Sequence, residues 1–289
     1  MTIGHLKHTG NNMSPISLPI DGNRHGNRDL STVRFDLGRL DDGRSPILLL
    51  DDFRVSGRPF GPHPHAGFSA ITYVFEDSEG ALRSRDSFGA DVTVGGGGMV
   101  WLQAGRGALH EETPADMRRE LHGVQVYVNL TAANKTIAPK TLWVEGADVP
   151  IWHDGTGNRV RVLVGTYDGV RSPLVPEEPF RFLDVTVAGR FAVDLDPAAF
   201  SLVYARDAAT LNADGRSVSL QAGQVVSVED TASLLVSAAP SARLLVLSGN
   251  RIDEPRHIEG PFILNSARDV DGAMARYRSG EMGRLAPRS

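Results

Sequence analysis

The sequence predicts an all-β protein made of two barrel-like or sandwich-like units and closed by one helix, and three observations predict it. Short apolar runs alternate with Gly, Pro, Asp and Asn turns, the pattern of strands in antiparallel sheets. The pattern fills the first half and returns in the second, and 289 residues exceed one usual domain. A stripe at helical spacing stands at the C-terminal end.

The stretch 9–28 is rich in Gly, Asn and Pro, and reads as a segment that wraps a surface or stays partly disordered. Candidate strands of the first half are 47–50, 70–75, 98–102, 123–130 and 160–164. Those of the second are 182–187, 191–195, 201–204, 217–220, 225–228, 233–236 and 244–247, with turns such as Ala213-Asp-Gly215 between them. Trp101-Leu-Gln-Ala-Gly105 has a faint echo in Leu220-Gln-Ala-Gly223, a weak sign of duplication. The run Asp154-Gly-Thr-Gly-Asn158 is apolar-poor and suits a linker or a long turn, which places the boundary between residues 1–154 and 155–289. At the end, Ser266 and Asp269 make a capping-box pattern, and Val270, Met274 and Tyr277 form a stripe before Gly280, as expected of a helix packed on a barrel.

The formal net charge is −5 with a pI near 6.0, and Lys and Arg are scattered, so no basic footprint for direct nucleic-acid binding exists. Residues 1–12 are polar and lack the apolar run of a secretory signal, and no apolar stretch is long enough to span a bilayer. With no cysteine, disulfides are excluded, and the cytoplasm is the expected location.

The segments Gly61-Pro-His63-Pro-His65-Ala-Gly67 and Gly105-Arg-Gly-Ala-Leu-His110-Glu-Glu112 carry the chemistry. Successive strand side chains point to opposite faces, so His63 projects with His65, and His110 with Glu112, while Pro64, Leu109 and Glu111 point away. A lone His-x-His is weak evidence; a second in-register pair on another Gly-flanked apolar strand makes a four-ligand metal site the reading. Three neutral imidazoles and a carboxylate suit Fe(II), Mn(II), Ni(II), Cu(II) or Zn(II), and no thiolate is present to favour a structural zinc site. A second His-x-His or His-x-Glu does not occur in residues 155–289, so that half is expected to bind no metal.

His63-Pro-His65-x-Gly67-Phe68, Arg85-Asp86-Ser87-x-Gly89, Trp101-x-x-Ala104-Gly105-Arg106-Gly107-x-x-His110-x-Glu112-x-Pro114 and Gln125-x-Tyr127-Val128-Asn129-Leu130 together resemble the pirin family. The likeness is strong over residues 47–130, general between 148 and 255, and returns in Gly260-Pro-Phe-Ile-Leu-Asn265 and the helix after it. It implies a bicupin: two antiparallel jelly-roll β-barrels with a C-terminal helix, the N-terminal barrel holding one metal, most often iron, through His63, His65, His110 and Glu112. Two departures stand out. Ser69 replaces the family's usual Glu, with an expected effect on the pocket wall or on a hydrogen bond behind the ligands. Val94-Gly-Gly-Gly-Gly98 replaces a Pro-Gly-Asp turn, with an expected loosening of the pocket rim.

The resemblance implies two classes of function. One is a quercetin 2,3-dioxygenase-type enzyme acting on a small planar aromatic flavonol and O2, with Glu112 as both ligand and catalytic base. The other is a non-catalytic, redox-sensitive regulator that binds a protein partner. Arg106 is a candidate either to orient Glu112 or to stabilise its loop, and Asp86 to tie its turn. Phe53, Phe60, Phe68 and Trp101 flank the ligand segments; core packing is the expectation for Phe68 and Trp101. His5, His8, His25, His122, His153 and His257 read as surface or satisfied residues.

Overall fold

The computed structural model describes residues 14–57 and 61–285. Its first half contains β1 (Ile20–Asp21), β2 (Asn23–Gly26), β3 (Leu30–Arg34), β4 (Ile47–Val55), β5 (His63–His65) and β6 (Phe68–Val74). Then come β7 (Leu82–Asp86), β8 (Asp91–Val94), β9 (Met99–Gln103), β10 (Ala108–Pro114), β11 (Leu121–Asn129) and β12 (Lys140–Val144). The second half continues with β13 (Ile151–His153), β14 (Arg159–Val164), β15 (Thr166–Tyr167), β16 (Val170–Arg171), β17 (Phe180–Asp194) and β18 (Ala199–Ala205). It ends with β19 (Ala209–Ala213), β20 (Arg216–Leu220), β21 (Gln224–Val228), β22 (Ser233–Asn250), β23 (His257–Glu259), β24 (Phe262–Leu264) and helix α1 (Ala267–Ser279). None of the described helices is long and apolar enough to cross a membrane.

The N-terminal unit sets a seven-stranded sheet, β12-β9-β6-β11-β4-β3-β2, against a four-stranded one, β5-β10-β7-β8. Period 2 gives the larger sheet two different faces. Leu50, Ile71, Tyr73, Val124, Val126 and Val128 point away from the smaller sheet, into an apolar core shared with Phe182, Phe200, Leu202, Leu245 and Leu247 of the second unit. The alternate residues turn inward, so Thr72 of β6, Asp51 of β4, Gln125 of β11 and Arg34 of β3 line a cavity between the two sheets. Register makes these four one row, because Arg34 pairs with Asp51, Asp51 with Gln125, and Gln125 with Thr72. The second unit is a nine-stranded sheet in which the long β17 and β22 pair along most of their length, with its own core of Val162, Leu183, Val185, Leu211, Val236 and Val246.

Three pieces lie across the expected division at residue 154. The run 154–158 is a hairpin turn rather than a linker: Asp154 Oδ1 accepts from the Thr156 and Asn158 amides at 2.7 and 3.2 Å, and β13 and β14 on either side pair with each other. β1 joins β21 of the second unit. The C-terminal helix runs back to the first unit, where Val270, Ala273 and Met274 pack with Ala66 and Leu109 of the histidine-bearing segments. Ser266 caps this helix and Gly280 ends it at φ +82°, as the sequence pattern predicts, but Tyr277 remains 44% exposed and leaves the packed stripe to Val270, Ala273 and Met274.

Both departures lie away from the cavity. Ser69 is fully buried on the Ile71 side of β6, away from the cavity, and its hydroxyl has no hydrogen-bond partner among the described residues. The four-glycine turn meets the second unit: Arg161 donates to the Gly97 carbonyl at 2.9 Å, and a Cβ at Gly97 would stand 2.6 Å from that guanidinium. The turn is a crossing point between units and does not line the cavity.

Gly67 permits the closest approach in the fold's working end. It sits at φ +85°, and a Cβ there would lie 2.0 Å from the Ile263 carbonyl oxygen of β24. Gly67→Ala is therefore expected to lower stability by about 3 kcal/mol or more, through clash and left-handed strain together. A thermal melt of the variant, alongside the same change at the open Gly89, checks this.

Candidate metal centre

β5 and β10 run antiparallel with His110 opposite His63 and the small Ala108 opposite His65, so all three imidazoles project into one space. Ring centroids are 4.8 Å apart for His63 and His65, 4.6 Å for His63 and His110, and 4.6 Å for His65 and His110. One ligand atom from each lies within 4.8 Å of the others. His63 Nδ1 donates to the Gly61 carbonyl at 2.9 Å, which turns Nε2 towards the other rings, 3.1 Å from His110 Nε2.

Burial and the neighbouring imidazole hold His65 down to about 3, and burial pushes His110 well below the usual histidine range, so both rings are neutral and keep a lone pair. His65 Nδ1 and Nε2 and His110 Nδ1 are buried without a hydrogen-bond partner among the described residues. Partnerless buried nitrogens are costly unless something else engages them. Two nitrogens bound to one ion at about 2.1 Å and a right angle stand about 3 Å apart, close to the separation seen between His63 and His110. The three residues thus fit a transition-metal ion.

Glu112 is on the same face of β10 and lines the same cavity, but its carboxylate stands outside the imidazole group. Thr72 donates to Glu112 Oε2 at 2.6 Å, Gln125 donates to Thr72 at 3.3 Å, and Ser84, directly opposite on β7, also hydrogen-bonds the carboxylate. Full burial raises Glu112 above the ordinary carboxylate range, and the two hydroxyl hydrogen bonds only partly oppose this.

The cavity encloses about 730 Å³. Its sheet wall is graded: Leu30, Val55 and Leu121 form one cross-strand row, Thr32 and Phe53 the next, and the Arg34, Asp51, Gln125, Thr72 row follows, joined to Glu112 through Thr72. Arg34 grips Asp51 through Nε and Nη2 at 2.9 and 2.5 Å. Tyr127 stands one register step beyond, its ring 5.6 Å from His65 and 4.5 Å from Phe68, and burial pushes its phenol up to about 12. Gly260 and Pro261, just before β24, close the wall beside the triad.

Of the other residues singled out by sequence, Phe53 lines the cavity, Phe68 packs beneath His65, Trp101 is in the shared core, and Phe60 lies outside the described residues. Arg106 does not line the cavity; its amide donates to Ile137 and its carbonyl accepts from Arg276 of α1, a loop-holding role. Asp86 accepts from the Phe88 and Ala90 amides and ties its turn, while its other oxygen accepts from Thr141. His25 is on the exposed β2 yet reaches the cavity mouth, and His122 pairs with Asp52 at 3.0 Å on the opposite face of the sheet. His5 and His8 lie outside the described residues. Arg34, Asp51 and Thr72 were not expected at the site; the signal for them is a polar residue on the inward face of an otherwise apolar strand.

An all-β pair of units with a buried imidazole triad in the first is the arrangement of a bicupin with a candidate metal centre. Comparison with known proteins agrees: residues 35–128 match the model of the pirin family, and residues 182–283 that of the pirin C-terminal cupin domain. A Pseudomonas aeruginosa protein, provisionally named a quercetin 2,3-dioxygenase, is 32% identical, with 90% of this chain and 95% of that protein covered. Pirin-1 of Arabidopsis thaliana is 31% identical over 82% of this chain and 83% of its own length. Among solved structures, a quercetin 2,3-dioxygenase from Acinetobacter baumannii superposes with a TM-score of 0.80 at 25% identity, covering 93% of this chain and 98% of that one. The chain belongs to the pirin family.

Proposed function

We propose that this chain is a metal-dependent dioxygenase acting on a flavonol such as quercetin. The observation that carries the reading is the graded cavity: apolar rows at one end, suited to flat aromatic rings, and at the other a triad of imidazoles beside a carboxylate. The names of the Pseudomonas and Acinetobacter proteins support it. His63, His65 and His110 would hold the ion, with Glu112 as the nearby carboxylate; the family likeness favours Fe(II), and Mn, Ni, Cu or Zn would compete for the same donors. When bound, the metal supplies Lewis acidity towards the substrate oxygen and the redox capacity that reaction with O2 requires.

The remaining work belongs to the chain. Leu30, Phe53, Val55 and Leu121 bury the substrate's rings and exclude water. Glu112, presented by β10 into the cavity and steadied by Thr72 and Ser84, accepts the proton of the flavonol 3-hydroxyl at a carboxylate oxygen. Thr72 is steadied in turn by Gln125, so the base is aimed by hydrogen bonds before substrate arrives.

The test is oxygen consumption by Fe(II)-loaded protein given quercetin. Uptake is expected in the wild type, and Glu112→Gln is expected to keep its metal content while losing about 100-fold or more in turnover. Full turnover in that variant with normal metal content would remove Glu112 as base. No uptake by wild-type protein carrying stoichiometric metal would defeat the enzymatic reading and favour a regulatory role with a protein partner.

A further inference from the structure

The polar side chains around Tyr127 are engaged with one another. Arg34 is bound to Asp51, Gln125 to Thr72, Thr72 to Glu112, and His63 to Gly61. Tyr127 is the exception: its hydroxyl makes no protein hydrogen bond among the described residues, although the residue lines the cavity. A tyrosine in such a wall ordinarily finds a partner for its O–H, and where packing alone is wanted a phenylalanine fills the same volume without a polar group to satisfy. The ring is also firmly placed, wedged against His65 and Phe68 at 5.6 and 4.5 Å and backed by Ile263 of the C-terminal segment. A donor thus held, on the imidazole side of the cavity and unclaimed by the protein, is a donor for a ligand.

We infer that Tyr127 is a specificity-determining residue, whose phenolic O–H donates to the substrate oxygen that faces the histidine triad. On the proposed function, on which this inference rests, that oxygen is the 3-oxygen of a flavonol. The site would therefore select flavonols over flavones that lack the oxygen, and would do so through the protein as well as through the metal. Donation from the O–H strengthens as negative charge gathers on that oxygen, so Tyr127 and Glu112 act on the same atom from different sides: one receives its proton, the other stabilises the anion left behind.

The experiment is a fluorescence titration of Zn(II)-loaded protein, in which no turnover occurs, with quercetin and with luteolin, its counterpart without the 3-hydroxyl. Tyr127→Phe is expected to weaken quercetin binding by about tenfold and luteolin binding by less than about twofold, with zinc content and melting temperature unchanged. Zinc contributes equally to both proteins, so the change in the quercetin-to-luteolin ratio isolates the hydroxyl. Equal weakening of both ligands, or none of either, would overturn the inference while leaving the dioxygenase reading in place. If wild-type protein binds neither compound, the flavonol reading fails and this inference falls with it.

Discussion

His110→Ala is expected to lower metal affinity by at least about 100-fold and to abolish quercetin-dependent oxygen uptake, with little loss of fold. The side chain is one of three imidazoles that converge within 4.8 Å, and its Nε2 faces His63 Nε2 at 3.1 Å, so its removal leaves two donors on the same short strand. Loss of groups merely hydrogen-bonded to ligands already costs 10- to 100-fold in affinity, roughly, so loss of a ligand sets a lower bound. Stability is expected to change far less than activity. His110 is a buried imidazole with an unpartnered Nδ1, so the variant sheds an unsatisfied polar atom while opening a small cavity, and the net change in the metal-free protein is expected within about 1 kcal/mol. Calorimetric titration with Zn(II) and a melt of the metal-free protein measure the two effects separately. Unchanged affinity would mean that the triad is not the metal site.

Lys135→Met is expected to lower stability on the scale of Gly67→Ala. The Lys135 ammonium is almost wholly buried and donates to the Gly67 carbonyl at 2.8 Å, to Asn129 Oδ1 at 2.6 Å and to the Ile263 carbonyl at 2.9 Å. It therefore ties the turn after His65 to the C-terminal segment that backs it. Without it three buried acceptors lose their donor, and although the variant is relieved of burying a charge, a net loss of about 3 kcal/mol is expected. Because Gly67 is two residues from His65, the same variant is expected to bind metal more weakly.

A pH series tests the same residue. Burial holds Lys135 down to about 8, below its value of 10.5 in the unfolded chain. Between those values the unfolded state carries more proton than the folded state, so stability rises with pH in that window and falls as pH drops through 8. From pH 8 to pH 10 the gain is about 2 kcal/mol, below the range in which Tyr127 and Tyr167, both pushed up to about 12, work in the opposite direction. Denaturant melts at pH 8, 9 and 10 should show this rise in the wild type and not in Lys135→Met; parallel profiles would show that Lys135 does not titrate there.

The triad was legible in sequence because each pair of ligands shares a strand face and the family resemblance brings the two faces together. His63 and His65 share a face by strand period, His110 brings a second strand, and the Gly-rich turns on both sides mark where the strands begin. Glu112 was legible as a residue of that face but not in its state. Its carboxylate is taken up by Thr72 of β6 and Ser84 of β7, each about 30 to 40 positions away in sequence, and nothing in the run from His110 to Glu112 announces them. His25 is the surface residue its polar stretch suggests, but only the fold shows that this surface borders the cavity. Of the two readings of 154–158, a linker or a long turn, the structure has the turn, because Asp154 and Asn158 satisfy each other's backbone and tie a flexible composition into a hairpin.

By itself the sequence determined the all-β class, the capped C-terminal helix and the shared faces of His63 with His65 and of His110 with Glu112, since all of these follow from the local periods of strand and helix. Tertiary structure alone decided the rest. It aligned Arg34, Asp51, Gln125 and Thr72 into one row, set Tyr127 free beside His65, and folded the last helix back against the first unit's histidine strands. The physical reason is that a strand's pattern states which residues share a face, whereas pairing between strands far apart in the chain states which faces meet, and the chemistry of a cavity belongs to the meeting.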